Sequence, residues 1–496
     1  MVTYAAPPPV KDTHSKALTI NLDARRYGTF AEIGAGQEVV RWFFRVGGGA
    51  GTIAKSISAY DMTVSDAIYG KAERYVCRGR LQSMLDYEHE LNLDRLKDSR
   101  GDHTAFFAFA DTVSARNYRG TNECHGWMGV KFQSHPRDQD SQIILHVRMK
   151  DKENALQQEA LGIVGVNLLH GAFFLFHEPE LLVESLLDNL TTDRIEIDMV
   201  EFSGIEFRHV DNRLMSMKLV QLGLSGAAMF GPSGQVLQPA EVLHKRNVLV
   251  ERGSFRPLCH VHVDMLTSAE AQFRRDVGVD GGPIVRVMEV TMRDLRAESG
   301  EVNRSDFLAR AEMLAAAGMT VMISDYFQYY QLAAYLAQFT KMKIAIVMGA
   351  ASLRDIFDRK YYMELEGGIL ESFGRLFKHD LRLYIYPFMD SDTGGLTTVE
   401  NLNVSPDLHK LYGYLVDNGS IRALESYTRE HLSMFSIDAL KKIQASDRTW
   451  ESMVPAEVAR VIKEQRFLGY RPNGIDSDGS GSASPGSEPL ASNEAR

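Results

Sequence analysis

The sequence predicts an α/β protein of layered, largely parallel sheet units, with an α+β region on the N-terminal side and a helical extension on the C-terminal side. Short apolar runs alternate with helix-spaced runs through the second half of the chain, the pattern of strands buried between helices. In the first half, Gln142 to Met149 alternates with period two and carries unequal faces. The 496 residues, 44% hydrophobic and 24% charged, have ordinary globular values and are enough for about three structural units with a sizeable core.

The elements follow in order. Residues 1–16, with Pro7-Pro8-Pro9 and no apolar secretory run, read as a flexible lead-in. An α+β unit is expected over 17–165. In it Glu38 to Arg45 is apolar but ambiguous between helix and strand, and Leu81, Met84, Leu85, Leu91 and Leu96 give Arg80 to Leu96 helical spacing. Thr104 to Asp111 and Gln142 to Met149 read as strands. Ala160 to Phe176 is the longest apolar stretch; with Asn167, His170 and three glycines it is short for a membrane span and reads as a buried helix.

One or more α/β units are expected over 166–395. Strands are predicted at Arg194 to Phe202, Ala227 to Phe230, Asn247 to Glu251, Ile284 to Met292, Met319 to Ser324 and Lys343 to Met348. Helices fall at Asn212 to Leu222, Pro239 to Lys245, Ser305 to Ala317 and Phe327 to Thr340, with Gly318 placed to stop the third. A helical extension is expected over 396–473, entered at Ser405-Pro406 and again near Ser436. Residues 474–496, rich in Ser, Gly and acidic side chains, have too few apolar groups to offset ordering entropy and are expected to be a disordered tail.

A net charge of -10 favours solubility and gives no reason to expect a nucleic-acid partner. Three scattered cysteines, Cys77, Cys124 and Cys259, fit reduced thiols in a cytoplasm rather than a disulfide framework. Neither Cys124-His125 with His135 and His146, nor Cys259-His260-Val261-His262, has the paired spacing of a structural zinc site, so no metal ligand is expected there.

Three glycine-containing stretches bear on ligand binding. Glu32-Ile-Gly34-Ala-Gly36 looks like the turn with which methyltransferases approach S-adenosylmethionine, but it also fits a tight turn before a helix. Gly47 to Ser56 nearly matches the phosphate loop G-x-x-x-x-G-K-[ST], with Gly49, Lys55 and Ser56 in place. Ala54 stands where that loop needs a glycine conformation, so a phosphate-loop NTPase is not expected; Lys55 and Ser56 stay as candidates for a secondary anion contact.

The third stretch, Gly253-Ser254-Phe255-Arg256-Pro257-Leu258-Cys259-His260-Val261-His262, follows the strand ending near Glu251. It resembles the Gly-Ser-Phe-x-Pro-x-His-x-Gly-His signature of the nucleotidyltransferases that include nicotinate-nucleotide adenylyltransferases. Gly253, Ser254, Phe255, Pro257 and His262 match, whereas Cys259 replaces the first histidine and Val261 the glycine. The resemblance implies that Gly253, Ser254 and Phe255 shape a phosphate loop. It implies a catalytic role for His262 at the charged phosphates, and magnesium with a nucleoside triphosphate as cofactors. Arg256, at an unspecified position of the signature, joins His262 as a catalytic candidate because its planar guanidinium suits phosphate.

From Ala17 to Tyr470 the chain also resembles a large bacterial-type family. The resemblance rests on Tyr27-Gly-Thr-Phe-Ala-Glu-Ile-Gly-Ala-Gly-Gln-Glu, Cys124-His-Gly-Trp-Met-Gly-Val, Val210-Asp-Asn-Arg-Leu-Met-Ser and Gly367-Gly-Ile-Leu-Glu-Ser-Phe-Gly-Arg-Leu-Phe, in this order. Its members often carry the label nicotinate-nucleotide adenylyltransferase or TonB-dependent receptor. The second label conflicts with the lack of a repeated ten-residue barrel pattern. The expectation is therefore a cytoplasmic protein that handles a nucleotide or small phosphorylated metabolite, without a membrane partner. The alternative is a non-catalytic α/β scaffold or regulatory protein.

Overall fold

The computed structural model describes residues 12–34, 36–278, 282–296, 301–389 and 394–472. The expected tail and residues 1–11 of the expected lead-in lie outside them. The rest of that lead-in is ordered: Asp12 caps helix α1 (Thr13–Leu22). Lys16 is buried because its Nζ donates to Asn167 Oδ1 and Asp188 Oδ2, both at 2.8 Å.

Two large sheets organise the described residues. The first contains β1 (Arg26–Gly34), β2 (Ile53–Ile57), β3 (Ala105–Ser114), β4 (His125–Gln133), β5 (Asp140–Met149) and β6 (Ile195–Gly204), in the order β2-β1-β3-β4-β5-β6. β1 runs parallel to β2 and β3, and the remaining pairs are antiparallel. One face packs on α1, α2 (Val39–Val46), α5 (Asn154–Phe174) and α6 (Pro179–Ser185). The other packs mainly on α3 (Met62–Tyr69) and α4 (Arg78–Arg100). The ambiguous run from Glu38 thus resolves as a helix.

The long apolar run is the buried helix α5, apolar on nearly every side because sheet and helices enclose it. A Cβ at Gly165 would lie 2.3 Å from Val39 Cγ2, so this glycine sets how closely α2 approaches. Among the described residues no helix is long and apolar enough to cross a membrane. A division at 165/166 falls inside α5, and β6 completes the first sheet before α7 (Asn212–Gln221) leads to the second.

The second sheet contains β7 (Ala227–Phe230), β8 (Val236–Leu237), β9 (Asn247–Arg252), β10 (Ile284–Thr291), β11 (Thr320–Ser324), β12 (Ile344–Gly349), β13 (Arg382–Tyr386) and β16 (Ile421–Ala423). A separate hairpin pairs β14 (Phe388–Met389) with β15 (Leu396–Thr397). The order is β16-β13-β12-β9-β10-β11-β7-β8, parallel from β16 to β11 and antiparallel beyond. The six parallel strands follow the doubly wound sequence in which chain progression reverses beside the first strand, here between β9 and β12.

Helices cover both faces, as the alternating runs predict. α9 (His260–Val277), α11 (Arg304–Ala316), α16 (Ser436–Gln444) and α17 (Ala456–Gln465) share one core. α12 (Tyr329–Phe339), α13 (Ala350–Ile356), α14 (Gly368–Leu376) and α15 (His409–Asp417) share the other. Short α8 (Pro239–Leu243) and α10 (Met292–Leu295) sit in connections. The helical extension is interrupted by β16, whose three residues are too few to show a strand period in sequence.

Both early glycine turns now have structural roles. Gly49–Gly51 forms a single turn between α2 and β2, so Lys55 and Ser56 lie on a strand rather than at a helix start. The order is helix–turn–strand, the reverse of a phosphate loop. Lys55 pairs with the buried Glu88 of α4, and Ser56 is exposed. In the first turn, the Glu32 carboxylate accepts the N–H groups of Val39 (2.9 Å) and Val40 (3.1 Å), tying β1 to α2. Asp111 stands opposite Glu32 on β3, fully buried, with no side-chain hydrogen-bond partner for either carboxylate oxygen among the described residues. A Cβ at Gly36 would lie 2.1 Å from Asp111 Oδ1, so the glycine makes room for that carboxyl. Burial pushes Glu32 up to about 8, and burial with Glu32 beside it pushes Asp111 well above the carboxylate range.

Candidate functional site

The reversal between β9 and β12 leaves a crevice at the carboxyl ends of the parallel strands, where open α/β sheets bind ligands. It has a volume of about 400 Å³, within the range of small-molecule sites. Arg252 ends β9, Thr291 ends β10, Arg293 and Asp294 follow on α10, and Phe327, Gln328 and Tyr329 lead into α12. Ser352 and Asp355 of α13, with Tyr361 and Tyr362, form the opposite wall.

Arg252 is the fixed cation of this crevice. Its Nε and Nη2 donate to Glu289 Oε2 and Oε1 at 2.7 and 2.8 Å, a two-point pair between neighbouring strands. Nη1 and Nη2 also donate to the carbonyls of Phe327 (2.7 Å) and Tyr326 (2.8 Å). Burial opposes the Arg252 charge, but Glu289 outweighs it and holds the guanidinium above its ordinary range. Arg293 differs: it is exposed, lies 4.5 Å from the Phe327 ring centre, and makes no ion pair among the described residues. Thr291 holds Asp294 beside it, its hydroxyl donating to Asp294 Oδ2 at 2.7 Å.

The Gly253–His262 loop leaves β9 next to this crevice but turns into the opposite core, with α9 and α11. Phe255 is fully buried there with φ +45°, and a Cβ at Gly253 would lie 2.9 Å from its ring. The Ser254 carbonyl accepts from Arg310 Nη1 at 3.0 Å. Arg256 Nε donates to Asp306 Oδ1 at 2.6 Å, so one edge of its guanidinium is tied to α11. His262 Nδ1 accepts the Cys259 N–H at 2.9 Å, capping α9, and burial pushes its pKa down to about 4. The structure therefore places Gly253, Ser254, Phe255, Arg256 and His262 together in one turn, apart from the crevice lining, while Lys55 and Ser56 belong to the first sheet.

Arg252, Glu289 and Arg293 were not singled out by motif. The signal in the sequence is slight: Arg252 and Glu289 are charged residues at the ends of apolar strands, and only the β9–β10 register makes them a pair. Beside Arg252, Glu251 faces the α9 core with both carboxylate oxygens unpartnered among the described residues, and burial alone pushes its pKa well above the ordinary value. No group of three or more His, Cys, Asp or Glu among the described residues is placed to hold a metal.

No protein-family model matches the chain. No curated protein matches it either. Partial similarity is found to the competence/damage inducible protein CihA from Agrobacterium tumefaciens, at 15% identity over 33% of this chain and 97% of that one, TM-score 0.24. A competence-damaged protein (CinA) superfamily protein from Klebsiella pneumoniae shows 16% identity over 32% of this chain and 94% of that one, TM-score 0.23. Another from Escherichia coli shows 12% identity over 34% and 91%, TM-score 0.23. Scores this low carry no argument about activity, and the chain is placed by its own geometry as a two-sheet α/β protein.

Proposed function

We propose that the crevice at the carboxyl end of the second sheet binds a nucleotide or a related small phosphorylated metabolite. The observation that carries this reading is the Arg293 guanidinium, which lies over Phe327 and has no ion pair among the described residues, beside the Arg252–Glu289 pair and the aromatic side chains of Tyr329 and Tyr361. A planar guanidinium suits phosphate, and the aromatic faces suit a base or pyridine ring. The magnesium ion and nucleoside triphosphate implied by the nucleotidyltransferase resemblance fit the donors present. Magnesium keeps most of its waters and needs one or two carboxylates, and Asp294 and Asp355 both line the crevice. The loop Gly253–His262 then positions β9 and α9 beneath the site, with Arg256 and His262 holding its shape.

Calorimetry with ATP, nicotinate mononucleotide and inorganic phosphate tests the reading. Losing one charge-assisted contact costs about 1.5–3 kcal/mol, so Arg293→Ala should weaken binding by roughly tenfold or more. Arg256→Ala and His262→Ala should change affinity far less. Loss on Arg256→Ala with Arg293→Ala silent moves the site to the α9 side of the loop. If none of these ligands binds, the non-catalytic scaffold reading takes precedence.

A further inference from the structure

A second cavity, of about 340 Å³, lies between the first sheet and the β8–α8 and α12 segments, lined by His125, His146, Arg148, Lys150, Gln238 and Phe339 among others. Three neighbouring strands each send one titratable side chain into a single chain of hydrogen bonds. Asp198 on β6 meets His146 Nδ1 with Oδ1 at 2.5 Å, and His146 Nε2 on β5 lies 3.0 Å from His125 Nδ1 on β4. Asp198 and His146 are almost completely buried, whereas His125 is partly exposed.

The neighbours fix where the protons sit. Gln238 Oε1 accepts the Glu241 N–H at 2.8 Å, which turns its amide nitrogen toward Asp198 Oδ2 and His146 Nδ1, both at 3.2 Å; at that ring nitrogen the 2.5 Å contact with Asp198 is the shorter. The Asp198 carboxylate accepts, so His146 Nδ1 is the donor and His146 Nε2 the acceptor. His125 Nδ1 must then donate to His146, leaving the His125 Nε2 lone pair uncommitted among the described residues. Nearby, Arg148 and Lys150 approach one carboxylate, Glu196, at 3.7 and 3.3 Å, so two cations share one anion there. Glu123 is exposed among the lining residues.

We infer that this cavity is a general-base site for a small substrate bearing a phosphate or carboxylate group. Lys150 and Arg148 hold the oxyanion, and His125 Nε2 takes a proton from the bound substrate or from a water beside it. His125 is the catalytic residue; His146 and Asp198 are positioning residues that fix its tautomer, and the Asp198 charge favours the imidazolium formed. Burial, with the His146 ring next to it, pushes the His125 pKa down to about 4, so the free site carries it as the neutral base at pH 7. The site is independent of the crevice on the second sheet.

Histidine-selective nitrogen NMR on the full chain tests this, with inorganic phosphate and acetate as titrants and His125→Gln to assign the signal. His125 and His146 should both be unprotonated at Nε2, and Asp198→Asn should change that tautomer. Phosphate or acetate should shift the His125 signal saturably and slow its acylation by diethylpyrocarbonate; which anion does so identifies the substrate group. Lys150→Ala should weaken that binding by roughly tenfold or more. If Asp198→Asn fails to fold, the wild-type tautomer and the Lys150→Ala titration still decide. A proton on His125 Nε2, or no effect of either anion, overturns the inference.

Discussion

Glu289→Ala is expected to lower the unfolding free energy by about 3–5 kcal/mol, the cost of leaving a buried partner charge uncompensated. Glu289 is fully buried and Arg252 nearly so, and the two meet at 2.7 Å. Ser324 loses its acceptor as well, since its hydroxyl donates to Glu289. The carbonyls of Tyr326 and Phe327 remain but cannot replace a counter-charge. The double exchange Arg252→Met with Glu289→Leu should cost much less, because apolar side chains of similar volume need no partner. Urea denaturation of the wild type, the single variant and the double variant measures both numbers. A loss under about 1 kcal/mol for Glu289→Ala would mean that water reaches Arg252 and that the crevice floor is wetter than its burial implies.

Raising the pH from about 6 to about 8 should lower the melting temperature by ~5 °C or more. The cause lies in carboxyls that stay protonated only in the fold. Glu32 is held up to about 8, and Asp111 and Glu251 are pushed well above the carboxylate range. Between the unfolded value near 4 and the raised folded value, the native state binds more protons than the unfolded chain, so stability falls as pH rises. Each full unit is worth about 1.4 kcal/mol per group at most, and each kcal/mol moves a domain of this size by about 2–4 °C. On the acid side the sign reverses. His89, His125, His170 and His262 are pushed down to about 4 by burial, so stability is lost as pH falls below about 6.5. A scan of melting temperature against pH should peak between these limbs. Asp111→Asn and Glu251→Gln should flatten the alkaline limb, and an unchanged slope in both would show that these groups ionise freely in the fold.

Strands buried on both faces were the most legible part of the sequence. Ile344–Gly349 and Asn247–Arg252 are short apolar runs between helices, and such runs read directly as interior parallel strands. β1 was harder, because Arg26–Gly34 carries Arg26 and Glu32, which look like surface residues. Both are buried on backbone partners: Arg26 donates to the carbonyls of Gln133 and Ser134, far away in sequence, and Glu32 accepts from Val39 and Val40 at the start of the next helix. The Gly253–His262 turn has the residue types of a phosphate loop, yet a buried Phe255 needs the same glycine and a helix start uses the same histidine. Motif chemistry could not separate those uses. His125, His146 and Asp198 were invisible as a unit because their meeting depends on the β4–β5–β6 register, across up to 73 positions of chain.

The eight-stranded sheet ends in β8, of two residues, at one side and in β16, of three, at the other. A free strand edge is a template on which another chain can add hydrogen bonds, and its hold grows with the number of consecutive pairs it offers. Edges this short offer a pair or two before the register runs out. The six interior strands, apolar enough to seed fibrils if exposed, are thereby closed off from growth in both directions, so a crowded cell meets the sheet only at stubs that cannot propagate it.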